Sequence, residues 1–315
     1  MEFLRLLAEL RVDALSGFMS AVTYLGDELC FMAIAILFFW CIDKRKGYYI
    51  FFVGVMGSII NQFLKLWFHI PRPWVIDPDF SPVESAIEAA KGYSFPSGHT
   101  QTAVGTFGAV LLTAERKWAK WLCFALILIV PFSRMYLGVH TPLDVGVSYL
   151  VAGGLTAALY FCFKDDASLK KSARGAVIAL LAVALLYALF VFLYRFPVDI
   201  DPHNMASGTK NACTLGGTAL ALAVIYFYDK KRLNFSTEGP FLGQLLKYVI
   251  GLALVVGLKS GLKPALNALL GLFLEGALRD NISNFLRYFL MSVFAGCVWP
   301  HTFPIFAKIG KKKIH

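Results

Sequence analysis

Charged residues are scarce in this sequence. They make up only 16% of its 315 residues, whereas soluble globular proteins carry about 25%. Apolar residues make up 58%, and continuous apolar runs of roughly 15 to 22 residues recur, about the length that a membrane-spanning helix needs. The runs do not alternate with polar residues, as the strands of a membrane barrel do. The composition excludes a soluble globular protein and predicts an all-α polytopic membrane helical bundle.

The sequence also offers little for disulfides, metals or secretion. Its six cysteines form no CxxC pair and lie within or at the ends of apolar runs, so we interpret them as small apolar fillers. Only Asp199, Asp201 and His203 resemble a metal cluster, and one short cluster rarely completes a coordination sphere. The N-terminus lacks a basic region followed by a small-residue cleavage site, and we therefore expect no signal peptide.

Hydropathy divides the chain into three regions. Residues 1–27 carry charged side chains among Phe and Leu at helical spacing, which predicts an amphipathic helix lying in the membrane interface. Residues 28–195 are predicted to form a six-helix core, and residues 196–315 a membrane extension of three spans. The predicted total is about nine spans, at approximately residues 29–42, 47–68, 99–113, 118–137, 142–163, 176–194, 211–228, 241–258 and 285–307.

The net charge of +10 could indicate a nucleic-acid partner, but the distribution of the charge favours membrane topology instead. More than half of the 30 Lys and Arg residues fall in loops that alternation places on one side. These are the loops at 43–46, 115–120, 164–174 and 229–232 and the tail from residue 308. Such basic loops face the cytoplasm. We therefore expect the N-terminus outside and the C-terminus inside, in a plasma membrane, with no nucleic-acid partner.

Three polar clusters fall at the outer ends of the predicted spans. Their cations, Lys65, Arg72 and Arg134, suit the oxygens of a phosphate ester, because Arg offers a fixed fork and Lys a mobile point charge. Ser97 and Gly98 directly precede a predicted helix, whose free N-terminal N–H groups attract an anion. These residue types together predict a phosphoryl-transfer site.

Two histidines and one carboxylate complete the predicted site. His140 and Asp144 are four residues apart at the start of a predicted helix, so both lie on one face. A carboxylate on one ring nitrogen fixes the tautomer and makes the other nitrogen more nucleophilic. His99 is then free to act as the general acid. In the alternative interpretation, Asp144 only caps its helix, and Lys65 and Arg72 are interfacial anchors.

The spacings Lys-x6-Arg-Pro, Pro-Ser-Gly-His and Ser-Arg-x5-His-x3-Asp, in this order, resemble the three signature motifs of the type 2 phosphatidic acid phosphatase (PAP2) family. Its superfamily also includes vanadium haloperoxidases, bacterial acid phosphatases and glucose-6-phosphatase. The resemblance covers residues 28–194 and implies that His140 forms a phosphohistidine, Asp144 orients it, and His99 protonates the leaving group and later activates water. It also implies that no metal or other cofactor is needed, and that the phosphoryl oxygens are held by Lys65, Arg72, Ser97, Gly98 and Arg134.

Several functions fit this site. The leading hypothesis is an integral membrane phosphatase acting on a lipid phosphate or diphosphate monoester at the outer membrane face, with membrane lipids around it. The oligomeric state is left open. Alternatives are a phosphotransferase with the same intermediate, a glucose-6-phosphatase-like hydrolase of a soluble ester, and a non-catalytic transporter or scaffold. The intact residues His99, His140 and Asp144 argue against the last.

The outer segment 70–98 is too long for a simple turn. Its proline residues forbid one continuous helix, although residues 84–91 could form two turns of interfacial helix. We predict that the segment is a lid and that lipid enters between helices. Its apolar side is predicted to face the bilayer through Trp74, Phe80, Ile87, Tyr93 and Phe95.

Overall fold

The computed structural model describes residues 1–197 and 200–310, and the regular structure of these residues is entirely helical. The first part of the chain contains α1 (Glu2–Glu9), α2 (Asp13–Thr23), α3 (Glu28–Leu37), α4 (Lys44–Phe68), α5 (Pro73–Ile76), α6 (Gly98–Thr113), α7 (Lys117–Tyr136), α8 (Pro142–Phe163) and α9 (Asp166–Leu193). The second part contains α10 (Pro202–Tyr228), α11 (Phe241–Leu270), α12 (Gly276–Val293) and α13 (Phe303–Phe306). Turns of π-helix extend α3 to Ile42, α10 to Leu233 and α12 to Val298.

Membrane-spanning helices dominate the structure, as the composition predicts. Within the described residues, seven helices are long and apolar enough to cross a membrane. A bent pair, 13–26 and 28–42, makes an eighth if its two parts, inclined at 52°, form one span. Helix α6 has only 16 residues, which is short of the roughly 20 that cross a bilayer. The all-α membrane bundle is therefore confirmed, whereas the count of nine is not reached by this measure.

Helix α4 lies at the centre of the bundle. It is apolar on nearly every side, from Tyr48 and Tyr49 to Ile59 and Leu66, which are all buried. A helix that is apolar all round must pack against neighbours on all sides, and α4 contacts α6, α8, α9 and α10. Because α4 carries Lys65 in its last turn, this central helix fixes one cation of the predicted site.

The C-terminal helices pack onto this core. Helix α10 contacts α4, α9 and α12, and α11 contacts α12 and α3. Polar ties support the contact: Lys44 lies 3.0 Å from the carboxylate of Asp229, and Lys259 lies 3.0 Å from that of Glu28. The extension is thus a second layer against α3 and α4.

Two predicted elements differ in the structure. The N-terminal segment is not one amphipathic helix but two, α1 and α2, because the chain leaves the helix near Arg11. The Arg11 guanidinium donates hydrogen bonds to the carbonyls of Tyr136 and Ser81 and so holds this break against α7. In the segment 84–91, the two predicted helical turns reduce to a single 3₁₀ turn, Glu84–Ala86. There, Val83 N–H bonds to the carbonyl of Leu137 and ties the segment to the protein.

Candidate active site

The starts of α6 and α8 meet at one end of the bundle. Ser97 caps α6, and its hydroxyl accepts a hydrogen bond from Thr100 N–H. Thr141 caps α8, with Pro142 in the first turn and a complete capping box to Asp144. The two caps are joined because Ser97 N–H donates to the Asp144 carbonyl at 3.1 Å. Two helix N-termini therefore open on the same spot, where an anion is favoured.

Asp144 caps its helix and also faces His140. Its Oδ2 accepts hydrogen bonds from Thr141 N–H at 2.7 Å and from the Ser94 hydroxyl at 2.6 Å. The same oxygen lies 3.4 Å from Nδ1 of His140. The capping hydrogen bond is therefore present, while Nδ1 of His140 faces the same carboxylate without a hydrogen-bond partner among the described residues. The capping and the orienting interpretations of Asp144 do not exclude each other.

The other nitrogen of His140 faces Arg72. Nη1 of Arg72 lies 2.9 Å from Nε2 of His140 and also donates to the Val139 carbonyl. A guanidinium can only donate, so Nε2 is the acceptor, and a neutral ring then carries its proton on Nδ1, towards Asp144. The lone pair of the ring thus lies on Nε2, where it accepts the hydrogen bond from Arg72.

The surroundings of His140 favour its neutral form. His140 lies in the connection between α7 and α8 and is only 1% exposed. The pKa of His140 is held well below its ordinary value. The larger cause is burial of the ring, and the smaller is the positive charge of Arg72, Arg134 and Lys65. A neutral imidazole is the nucleophilic form of histidine, so this environment is compatible with the predicted role of His140.

Three cations are buried around this histidine. Arg134 is fully buried and donates from Nη1 to the Thr23 hydroxyl at 2.7 Å, while its Nε and Nη2 have no hydrogen-bond partner among the described residues. Lys65 donates to the carbonyls of Tyr93 and Ser94. Arg72 donates to the carbonyls of Gly92 and Lys91. Buried cations that meet mainly carbonyl oxygens are strongly stabilised when an anion joins them.

His99 stands in the first turn of α6, beside this cluster. Its Nε2 is buried and has no hydrogen-bond partner in the described parts of the chain. The short N-terminal connection passes directly over it. A Cβ atom on Gly26 would lie 2.8 Å from the His99 carbonyl oxygen, so only glycine permits this close approach.

The structure brings the predicted residues together and adds others. Lys65, Arg72, His99 and Arg134 all lie close enough to His140 for their charges to act on it, and Ser97 and Gly98 begin α6 directly before His99. Sequence reasoning missed Thr23 and Ser94. Ser94 lies three residues before Ser97, and its closeness to the Pro-Ser-Gly-His motif is a signal that could have identified it. No pattern marks Thr23, whose role depends on how α2 folds back onto α7.

The cluster of Asp199, Asp201 and His203 is the candidate metal site in the sequence. Asp201 caps α10 by accepting a hydrogen bond from Asn204 N–H at 2.7 Å, which explains its carboxylate without a metal. His203 is exposed, and Asp199 lies outside the described residues. No group of three ligand-type side chains suited to a metal occurs within residues 1–197 and 200–310.

The segment 70–98 lies over the site, but its apolar side faces the protein. Phe80, Tyr93 and Phe95 are buried, between 5% and 7% exposed. The prediction that these residues face the bilayer is therefore wrong for three of the five. They bury apolar area against α4, α7 and the N-terminal helices, which is favourable without any lipid. Ile87, at 43% exposed, remains on the outer surface.

Comparison with known families matches both halves of the chain. Residues 45–168 match the model of the PAP2 superfamily. Residues 213–311 match a second model, described as the transmembrane extension of PAP2 superfamily phosphatases. No solved structure matches the chain significantly.

Curated relatives match as well. Undecaprenyl-diphosphatase BcrC of Bacillus subtilis is 30% identical over 49% of this chain and 76% of the relative. An undecaprenyl-diphosphatase of Sulfolobus acidocaldarius is 26% identical over 49% of this chain and 74% of the relative. Sphingosine-1-phosphate phosphatase 2 of Mus musculus is 25% identical over 65% of this chain and 57% of the relative. With the motif residues gathered at the starts of α6 and α8, these matches show that the chain belongs to the PAP2 superfamily.

Proposed function

We propose that the chain is an integral membrane phosphatase that hydrolyses a lipid phosphate or diphosphate monoester at the outer membrane face, through a phosphohistidine on His140. The observation that carries the proposal is the arrangement around His140. Its Nε2 accepts from Arg72, its Nδ1 faces Asp144, and three buried cations surround it. This is the charge distribution that a transferring phosphoryl group requires.

The first half-reaction is an in-line displacement at phosphorus. Arg72, Arg134 and Lys65, with N–H groups at the start of α6, neutralise the equatorial oxygens. Arg72 transfers its hydrogen bond from Nε2 of His140 to a phosphoryl oxygen, and the freed Nε2 lone pair forms the N–P bond while the P–O bond to the lipid breaks. His99 donates a proton to the departing oxygen, and the lipid leaves as an alcohol or, from a diphosphate, as a monophosphate.

The second half-reaction restores the enzyme. His99, now neutral, takes a proton from a water molecule, whose oxygen attacks phosphorus and breaks the N–P bond. Inorganic phosphate leaves, and His140 regains its neutral form with the Nδ1 proton held towards Asp144. The positive charge in this scheme comes from side chains alone, and we expect activity without an added metal.

The proposed topology has nine spans with the active site outside. In this topology α3 and α6 also cross the membrane, so that α3, α4 and α6 to α9 form the six-helix core and α10 to α12 the extension. Two observations support it. The basic loops gather on the opposite end of the bundle from the site, and the starts of α6 and α8 lie at the same end as Lys65.

A lipid is proposed as substrate on two grounds. The similar proteins are undecaprenyl-diphosphatases and a sphingosine-1-phosphate phosphatase, and both of these substrates are lipids. The buried charges also lie at the ends of apolar helices, where the head group of a membrane lipid would meet them.

Phosphate release by the purified protein tests the proposal. The panel contains long-chain lipid phosphates, a prenyl diphosphate and a soluble sugar phosphate, and each is assayed with and without EDTA. We expect release from lipids, unaffected by EDTA and lost in His140→Ala. The matched control is His301→Ala, which removes an exposed histidine that contacts Tyr228 at the other end of the bundle and should retain activity. Faster hydrolysis of the sugar phosphate than of every lipid would contradict a lipid substrate, and a phosphorylated acceptor product would indicate a phosphotransferase.

A further inference from the structure

A cavity of about 250 Å³ lies between the core and the extension, beside the active site. His99 forms part of its wall, so the cavity begins at the proposed general acid. The rest of the wall comes from α3, α4, α6, α10 and α12, and its polar side chains include Asn61, Gln101, Asn211, Thr214 and Tyr288. The extension therefore completes a space that the core alone would leave open.

Two amide side chains in this wall have unmet hydrogen bonds. Asn61 is 1% exposed and Gln101 is 3% exposed. Neither the oxygen nor the nitrogen of either amide has a hydrogen-bond partner among the described residues. Native proteins pair nearly all buried polar groups, because an unpaired one is costly. Two unpaired amides in one cavity wall indicate that something entering the cavity supplies their partners.

The unpaired amide of Asn61 lies close to the proposed phosphate-binding residues. Asn61 lies four residues before Lys65 on α4, about 6 Å along the same face of the helix at 1.5 Å per residue. Its Oδ1 would lie 3.7 Å from a Cβ atom on Gly98, in the loop that begins α6. A group bound by Asn61 would therefore be only a few bonds from a phosphate held by Lys65.

The amide of Gln101 packs directly against Gly57 of α4. A Cβ atom on Gly57 would lie 2.3 Å from Nε2 of Gln101, so the amide occupies space that any larger residue on α4 would take. Gln101 follows His99 by two residues on α6. The two amides thus approach the same part of the cavity from α4 and from α6.

Beyond the amides the space becomes apolar. A second, narrow cavity of about 50 Å³ shares Met32, Phe51 and Met291 with the first and continues to Trp40 and Val255. Along α4 the two cavities extend from Gln62 to Tyr48, about 21 Å at 1.5 Å per residue. From His99, Asp27 and Glu28 inwards, the side chains of the wall change from ionisable groups to amides and then to apolar groups.

We infer that this cavity binds the substrate's linker and tail, and that Asn61 and Gln101 hydrogen-bond to hydroxyl or nitrogen groups on the carbons next to the phosphate ester. The inference rests on the proposed lipid phosphatase function and narrows its substrate class. The class is a lipid monophosphate that carries such polar groups, as sphingoid and glycerol-based lipids do. A prenyl phosphate has only hydrocarbon after its phosphates and would leave both amides unpaired.

The test compares sphingosine 1-phosphate with the plain monoalkyl phosphate of equal chain length. We expect the wild-type kcat/KM to favour sphingosine 1-phosphate at least about tenfold, since a site built for polar groups rejects an analogue without them. Asn61→Leu and Gln101→Met should bring the ratio close to one. An equal rate on both substrates in the wild type, or a ratio that these variants leave unchanged, would overturn the inference.

Two controls separate a specificity role from a structural one. Thr106 is also buried on α6 with an unpaired hydroxyl, but it is not part of the cavity wall, so Thr106→Val should leave the ratio unchanged. Thermal unfolding in detergent should show Asn61→Leu and Gln101→Met to be as stable as the wild type or more stable, because they remove unpaired buried groups. A marked loss of stability would indicate that the amides serve the fold.

Binding distinguishes failure of this inference from failure of the proposed function. If the wild type hydrolyses no lipid phosphate or diphosphate of the panel, the proposed function is wrong. Hydrolysis of the prenyl diphosphate alone would overturn this inference and leave the proposed function standing. Affinities for the two phosphates are then measured in the His140→Ala background, which needs no turnover. A preference for sphingosine 1-phosphate that disappears with Asn61→Leu would support the site, and equal affinities would refute it.

Discussion

At the scale of single residues, Asp144 has the most demanding position in the site. One oxygen, Oδ2, accepts from Thr141 N–H and from the Ser94 hydroxyl and also faces Nδ1 of His140. An amide could keep the capping-box contact, because its oxygen can still accept a hydrogen bond from Thr141 N–H, as glutamine does in other capping boxes. It would lack the negative charge that stabilises the ring once its Nε2 has bonded to phosphorus.

Replacing Asp144 by Asn therefore separates its two contacts. We expect Asp144→Asn to lower kcat by about 10²-fold or more, by analogy with the loss of the orienting carboxylate in a catalytic triad. The free energy of unfolding should fall by less than about 1 kcal/mol, since the cap persists. Initial rates and thermal unfolding of the purified variant check both values. Full activity would mean that Asp144 only caps α8.

The buried position of His140 predicts how stability depends on pH. In the folded state its pKa is held well below the ordinary value by burial and by the charges of Arg72, Arg134 and Lys65. In the unfolded state it returns to about 6.5. The unfolded chain thus binds more protons, and the stabilisation is fully present above about pH 6.5 and is lost as pH falls below it.

The measurement is the thermal unfolding temperature between about pH 7.5 and 5. We expect the wild type to lose more stability over this range than His140→Gln, which cannot take up a proton. Equal pH dependence of the wild type and His140→Gln would contradict a depressed pKa at His140.

At the scale of helices, the sequence predicts elements best where local chemistry marks their ends. Thr141 and Pro142 predict the start of α8 correctly, because a cap and a first-turn proline act within one turn. By contrast, α11 continues to Leu270, past the predicted end near residue 258 and through Pro264. The packing of α11 against α12 outweighs the local preference of a proline to end a helix.

The N-terminal helices show what local pattern could not supply. Their amphipathic spacing correctly predicts helix, but not that α2 packs on α7 and closes the site. Arg134 depends on this contact, because the Thr23 hydroxyl at the end of α2 accepts from its Nη1. Thr23 and Arg134 are 111 residues apart in the chain. The periodicity of apolar residues within one helix does not predict a contact over this distance.

Removing the Thr23 hydroxyl tests this contribution. We expect Thr23→Val to lower kcat/KM roughly tenfold, because a hydrogen bond to a charged group contributes about 1.5–3 kcal/mol and part of it would be lost to looser positioning. The matched control is Ser20→Ala on the same helix, whose hydroxyl meets only the exposed Ser85, and which should change kcat/KM little. If both variants behave alike, α2 contributes only general packing.

At the scale of the whole molecule, charge and apolar surface together define an orientation. The phosphate-site residues gather at one end of the bundle, while loops such as 115–120 and 164–174 carry basic residues at the other. The positive-inside rule places these basic loops in the cytoplasm. The proposed orientation then has the segment 70–98 outside the cell, together with the candidate active site.

Labelling of single cysteines in intact cells tests the orientation directly. The native cysteines are free and buried or half-buried, so the wild type gives a low background with a membrane-impermeant maleimide. Glu88 and Arg116 are both exposed, in the outer segment and in the predicted inner loop. We expect Glu88→Cys to be labelled in intact cells and Arg116→Cys only after the membrane is permeabilised. The reverse pattern would place the active site in the cytoplasm, where its lipid would have to come from the inner leaflet.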